Sequence, residues 1–293
     1  VRRTIDNKYE NLKNMKKSLI FLDVDNTLID RQYKSHSSTI NFVIDQLQRE
    51  GHIFVINSNR SFADLLELAN KFSFTGYLIG ENGAFCYNQK TENREVFVEQ
   101  KTIEVILEIK KLLLDFIKSY KDGELVICDS VDYLKHLDVH EIANSKDILF
   151  ILNQFREYSI SLHIKKREGD DFVKDLSFVK DFYNQFKSFL NEKLSIDNCC
   201  FEYTESFGNI LVYPKFPDKN FANAKLFDQY AGLNKIFIAD DVKDKIGSLE
   251  KADFFFTLAN GDEQAKYMAD YVAKESLTLG VEEILLNLEL LTK

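Results

Sequence analysis

The sequence predicts an α/β protein: a doubly wound parallel-sheet core with an inserted α/β cap domain. Three observations predict it. Short apolar runs alternate with helical patterns near both ends of the chain, as parallel βαβ units require. Between them the rhythm changes to long amphipathic helices with scattered short strands. Carboxylates also gather directly after apolar runs, where the crevice at the carboxyl ends of parallel strands receives ligands.

The first apolar run, Leu19-Ile20-Phe21-Leu22, reads as a short buried strand. Ile40 to Glu50 follows with a helical spacing of Phe42, Val43, Ile44 and Leu47, and Gly51 stops it. Ile53-Phe54-Val55-Ile56 is a second strand. Ser61 with Asp64 three residues later resembles a capping box, opening a helix that runs to about Phe72. Tyr77-Leu78-Ile79 is a third strand, and Asn82-Gly83 is a turn before hairpin strands at Ala84 to Asn88 and Arg94 to Val98.

Thr102 to Tyr120 predicts a long amphipathic helix ending before Gly123. Strands at Leu125 to Cys128, Ile160 to Ile164 and Cys200 to Tyr203 surround a helix from about Leu176 to Leu194, a helix-on-sheet insertion. Parallel rhythm is expected to return with Ile210 to Tyr213, followed by a helix over Phe221 to Tyr230. Strands at Ile236 to Ile238 and Phe254 to Phe256 and a Leu-rich tail helix from Thr278 to Leu291 complete the order. The expected core is therefore 15–84 with 208–293, the expected cap 85–207, and 1–14 a flexible leader.

Composition narrows the function. A chain of 293 residues with 45% hydrophobic residues buries a core easily. Its formal charge of -9 argues against a general nucleic-acid or anionic-membrane binder. Cys86, Cys128, Cys199 and Cys200 form no C-x-x-C pair and read as reduced thiols of a cytoplasmic protein. His36, His52, His136, His140 and His163 offer no metal spacing. Neither a signal peptide nor a membrane anchor is expected from the polar first residues, no nucleotide-binding glycine motif occurs, and nothing implies an obligate protein partner.

Four segments carry the chemistry. In Asp23-Val24-Asp25-Asn26-Thr27 two carboxylates two positions apart follow the first strand, so both can face one crevice. Two like charges that close need a cation between them or a retained proton. Ser58-Asn59-Arg60 follows the second strand and opens a helix, which suits an anion cradle. Lys219 precedes a helix in Pro214-Lys215-Phe216-Pro217-Asp218-Lys219. Ala239-Asp240-Asp241-Val242-Lys243-Asp244 places three carboxylates at a strand end, which need a metal or full solvation.

In this order the segments resemble the four motifs of the haloacid dehalogenase superfamily, whose core is Rossmann-like. Glu81-Asn82-Gly83-Ala84, Asn260, Ala265-Lys266 and Ala269-Asp270-Tyr271-Val272 are similar to the Cof-type phosphatases within it. The resemblance runs from about Lys17 to the end. It implies a Mg²⁺-dependent phosphatase acting on a small phosphorylated metabolite, by analogy a sugar phosphate. It implies Asp23 as the phosphorylated nucleophile and Asp25 as acid and base. It further implies Ser58, Asn59 and Lys219 as phosphate ligands, and Asp23, the main-chain carbonyl of Asp25, Asp240 and Asp244 around the metal.

Three departures stand out: Asn26, Ala239 and Lys243 replace the usual Gly, Gly and Asn. Lys243, if it points inward, would repel the metal. A phosphomutase, and a ligand-binding member without catalysis, remain alternatives.

Overall fold

The computed structural model describes residues 16–30, 33–128, 146–204 and 208–293. The expected leader 1–14, His136 and His140 lie outside the described residues. Along the chain run β1 (Ser18–Leu22), α1 (Ile40–Arg49), β2 (Ile53–Asn57), α2 (Phe62–Lys71) and β3 (Tyr77–Gly80). A 3-10 turn over Glu81–Gly83 leads to β4 (Phe85–Asn88) and β5 (Asn93–Val96). Next come α3 (Gln100–Lys118), β6 (Gly123–Cys128), β7 (Ile148–Asn153), β8 (Ile160–Glu168), β9 (Asp171–Val173), α4 (Leu176–Asn191), β10 (Cys199–Thr204) and β11 (Asn209–Pro214). The last part holds α5 (Lys219–Gln229), β12 (Asn234–Ile238), α6 (Ile246–Leu249), β13 (Phe254–Thr257), α7 (Glu263–Met268) and β14 (Tyr271–Val272). Helices α8 (Leu277–Leu286) and α9 (Leu288–Leu291) follow, the predicted tail helix being interrupted at Asn287.

One sheet has the order β14-β13-β12-β1-β2-β3-β4-β5. Its strands are parallel from β14 to β3, and the β4–β5 hairpin extends it antiparallel. The chain winds outward from β1 through β2 and β3, then resumes on the other side at β12. Helices on both faces leave β1 wholly buried, which is why it reads as an unbroken apolar run. Phe21 stacks on Phe237 at 4.5 Å and meets Phe227 edge-on at 5.4 Å, tying β1 to β12 and α5. At the start of α2 Ser61 caps as predicted, its Oγ accepting from the Asp64 amide at 3.3 Å, while the Asp64 carboxylate accepts from the Ser61 hydroxyl at 2.7 Å.

The second sheet has the order β10-β11-β8-β7-β6, with β9 beside β8. Helices α3 and α4 bring Ile106, Ile109, Leu113 and Ile117, with Phe182 and Phe186, into one cluster with Phe150 of β7. Phe150 and Phe182 lie 5.1 Å apart, so much of the chain's aromatic content is spent on this core. β7 and β9 were not expected from the sequence.

Two boundaries differ from expectation. One compact unit contains Leu65–Val96 and Asp218–Lys293 with the segment ending at Arg60; the other contains Ser61–Asp64 and Phe97–Pro217. The β4–β5 hairpin, placed in the insertion by its change of rhythm, pairs with β3 and completes the first sheet. Ile210 to Tyr213, expected in the parallel core, pairs antiparallel with β10 and β8 in the second sheet. An apolar strand buried on both faces has the same sequence pattern in either sheet. Parallel rhythm instead returns at α5 and β12.

Cys86, Cys128 and Cys199 are buried, Cys200 is half-buried, and none of these four is in a disulfide. No helix among the described residues is long and apolar enough to cross a membrane.

Gly83 is a backbone requirement. Its φ is +92, and a Cβ there would lie 2.2 Å from the carbonyl oxygen of Asp218. Only a residue without a side chain lets the turn after β3 touch the loop that carries Lys219. Gly83→Ala is expected to lower the unfolding free energy by about 1–3 kcal/mol through backbone strain alone, with the clash adding to it. Denaturant unfolding checks this, and an unchanged midpoint would refute the close approach.

Candidate active site

The switch in winding direction falls between β1 and β12, so the loops after these two strands diverge and leave a crevice. Leu22 pairs with Ile238 at the strand ends, and the Asp23 amide donates to the Ile238 carbonyl at 3.1 Å. This fixes the start of both acidic loops to one another. Asn26 takes φ +55, a left-handed turn that Asn tolerates in place of Gly. Thr27, fully buried, donates through its hydroxyl to Asp240 Oδ1 at 3.3 Å and accepts from the Asp240 amide at 3.2 Å. Thr27 therefore joins the two loops rather than facing a ligand alone.

Of the C-terminal marks, Asn260 supports the first loop. Asn260 donates to the Asn26 carbonyl at 2.8 Å and accepts from the Leu277 amide at 2.8 Å. Thr278 at the start of α8 donates to the Leu28 carbonyl at 2.9 Å. Asp270 accepts from the Phe255 amide at 2.8 Å, fastening the segment before β14 to β13.

A buried amide chain that sequence reasoning missed sets the third and fourth segments. Asn57, at the end of β2, donates to Asn223 of α5 at 2.7 Å, and Asn223 donates to Ser248 of α6 at 2.9 Å. Ser248 donates to Asn220 at 2.8 Å, and Asn220 donates to the Asp244 carbonyl at 3.2 Å. Polar residues at buried helix positions were the only available signal. The chain locks Lys219 at the start of α5 against the loop before α6.

Asp23 accepts from the Val24 amide at 2.8 Å through Oδ1, while Oδ2 lies 2.7 Å from Lys245 Nζ. Asp25 turns to Arg60, with Nη2 2.7 Å from Oδ1 and Nε 3.3 Å from Oδ2. The Arg60 guanidinium also lies over the Tyr33 ring at 4.8 Å. Ser58 is buried just past β2 and its hydroxyl accepts from the Arg60 amide at 3.3 Å, while Asn59 is half-buried. Lys219 is buried, with Nζ 2.6 Å from Asp244 Oδ2.

Two expectations change. Lys219, implied by the resemblance as a phosphate ligand, pairs with Asp244, and the cation on Asp23 is Lys245. Lys243, which would repel the metal only if it pointed inward, is exposed. The loop curls before α6, so Asp241 and Lys245 stand one helical turn apart and meet at 2.5 Å, while Lys243 faces away. Ala239 stands in for Gly without strain, because its φ is not positive.

Asp23, Asp240 and Asp241 each offer an oxygen, all within 4.8 Å of one another. Asp244, expected as a metal ligand, is held instead by Lys219 and by Lys245 at 2.9 Å. An oxygen-only set of three carboxylates fits a hard divalent cation such as Mg²⁺. The charges are strongly coupled. Burial, then Asp23 and Asp241, push the Asp240 carboxyl up to about 7. Burial works against the Asp244 carboxylate, but Lys219 and Lys245 outweigh it and hold its carboxyl well below the usual range. Burial works against the Lys245 ammonium, but Asp23, Asp244 and Asp241 outweigh it and hold its pKa well above the ordinary lysine value.

A pH dependence follows for the metal-free protein. An Asp240 carboxyl raised to about 7 keeps a proton that the unfolded chain releases near its ordinary 3.8. Its contribution favours the native state most below the unfolded value and is lost as pH rises through the folded one. In the presence of a chelator, Asp240→Asn is expected to gain about 2 kcal/mol over the parent between pH 5 and pH 8. Parallel stability profiles for the two proteins would contradict the coupling.

A family profile described as haloacid dehalogenase-like hydrolase matches residues 20–285. Similar solved structures include a haloacid dehalogenase-like hydrolase from Bacteroides thetaiotaomicron, 18% identical, covering 93% of this chain and 100% of that one with a TM-score of 0.62. A Plasmodium vivax protein described as a HAD/COF-like hydrolase is 20% identical over 96% of this chain and 98% of its own, with a TM-score of 0.60. Another Bacteroides thetaiotaomicron protein, described among phosphatases of the haloalkanoate superfamily, is 13% identical over 94% and 96% with a TM-score of 0.57. At these identities the likeness is one of fold. Among curated proteins, none matches the chain.

Proposed function

The chain belongs to the haloacid dehalogenase-like hydrolases, in their Cof-type branch, and from that premise we propose that it is a cytoplasmic, Mg²⁺-dependent phosphatase of small phosphorylated metabolites such as sugar phosphates. The observation that carries the reading is the Asp23 carboxylate, held at the switch point of the sheet within 4.8 Å of Asp240 and Asp241 oxygens. No partner protein or nucleic acid enters the proposal.

In this reading an Asp23 oxygen attacks phosphorus, and the bond from phosphorus to the ester oxygen breaks. Asp25 gives its proton to the leaving alcohol. It then takes a proton from the water that attacks the aspartyl-phosphate, the Asp23–phosphorus bond breaks, and inorganic phosphate leaves. Ser58, Asn59 and Lys219 hold the phosphoryl oxygens. Asp23, Asp240 and Asp241, with the main-chain carbonyl of Asp25, would hold the metal. When bound, Mg²⁺ supplies charge neutralisation at the phosphoryl oxygens. The second compact unit, 97–217, supplies substrate selection as a cap, since contacts remote from phosphorus are what distinguish one ester from another.

A panel of phosphorylated metabolites assayed with Mg²⁺ for phosphate release tests the proposal. Release from one class, absent with a chelator, is the expected result; transfer to a second sugar hydroxyl without release would make the protein a mutase. A second reading, ligand binding without turnover, is favoured by Lys245 on Asp23 and Arg60 on Asp25, which engage both catalytic carboxylates. Binding across the panel with no phosphate released would establish it.

A further inference from the structure

Lys245 belongs to none of the four sequence motifs, yet it is as deeply enclosed as Lys219 and meets three carboxylates. Its side chain is 5% exposed, and its Nζ lies 2.7 Å from Asp23, 2.5 Å from Asp241 and 2.9 Å from Asp244. Two of those carboxylates, Asp23 and Asp241, are also two of the three whose oxygens converge into a possible metal-binding group. A divalent ion ligated by them would approach the ammonium closely. At such short range, in a site with little water to screen them, the ammonium and a divalent ion repel one another.

We propose that Lys245 is a resident cation of the acidic centre, so that a divalent metal binds only by displacing its ammonium from Asp23 and Asp241. The inference rests on the proposed metal site. Lysine suits such a role: a compact charge on a flexible four-carbon stem can hold carboxylates together and still swing aside. Asp244 accepts through its other oxygen from Lys219, and offers the displaced ammonium a remaining partner. The protein then keeps its acidic loops folded without metal, and metal loading becomes an exchange of one cation for another. A purely structural lysine would also stabilise the loops, but its removal would not strengthen metal binding.

Direct binding of Mn²⁺, followed by the electron paramagnetic resonance signal of the free ion, separates the two. Parent, Lys245→Gln, Lys245→Arg and Lys243→Gln are compared without substrate. Lys245→Gln is expected to bind about tenfold more tightly or better, because the competing charge is gone. Lys245→Arg, which keeps the charge, shows no such gain, and Lys243→Gln, altered at an exposed site, coincides with the parent. Equal or weaker binding by Lys245→Gln overturns the inference alone; no binding by any of the four overturns it together with the metal site.

Should Lys245→Gln fail to fold, the parent suffices. The ¹⁵N resonance of the Lys245 ammonium, assigned by its loss in Lys245→Arg, is expected to lose protection from proton exchange as Mg²⁺ saturates the protein. Undiminished protection at saturation overturns the exchange.

Discussion

Asp23→Asn abolishes phosphate release, with a fall of about 10⁴-fold or more in kcat, while the protein stays folded. An amide is not an effective nucleophile towards phosphorus, and it also removes a charged oxygen from the group formed with Asp240 and Asp241. Folding survives because Lys245 keeps Asp241 and Asp244 at 2.5 and 2.9 Å, and the Val24 amide can still donate to the side-chain oxygen. Release of phosphate and a thermal unfolding curve are the two measurements. Asp25→Asn is expected to differ in kind: with a good leaving group it accumulates phosphorylated Asp23, visible as added mass on the intact protein. Near-parental turnover by Asp23→Asn would end the covalent mechanism.

Lys219→Met should produce the next largest effect. The side chain is 4% exposed and its ammonium is 2.6 Å from Asp244. Methionine fills similar space without charge, so the change removes a cation from the proposed phosphate clamp. A loss of about 10²- to 10³-fold in kcat is expected, the scale seen when one preorganised electrostatic donor is removed. Stability should fall by about 1–3 kcal/mol, less than for a fully orphaned buried charge, because Asp244 retains Lys245. Equal loss in Lys219→Met and Lys219→Arg would point to shape rather than charge. An unchanged kcat in Lys219→Met would remove Lys219 from the phosphate site.

The cap also has consequences for experiments. A linker replacing 85–207 would strip β4 and β5 from the first sheet and leave β11 without its partners. The compact units place the cut at 97–217 instead.

Much of the site was legible because its residues follow strands directly. Asp23 and Asp25 after β1, Ser58 after β2 and Asp240 after β12 are each announced by an apolar run that ends in polar residues. Lys245 was not legible in this way. It lies five residues past Asp240, beyond a turn, and only the curl of that turn brings it back over Asp241. Lys243 sits at the more suggestive position and points outward. The amide chain of Asn57, Asn223, Ser248 and Asn220 was hidden for a related reason: each member looks like an ordinary surface polar residue until the end of β2 and the faces of α5 and α6 are known.

By itself, the sequence determined which segments are strands and helices in the parallel core, and where its carboxylates leave the sheet. Those properties are local: burial on both faces demands a continuous apolar run, and a loop begins where that run stops. Tertiary structure alone decided that β11 joins the second sheet, that the β4–β5 hairpin joins the first, and which lysine meets which aspartate. Strand pairing and ion pairing are relations between distant residues, and apolar runs or charged side chains carry no record of their partners. In this protein that difference puts Lys245, which no motif marks, on Asp23 and leaves Lys219 on Asp244.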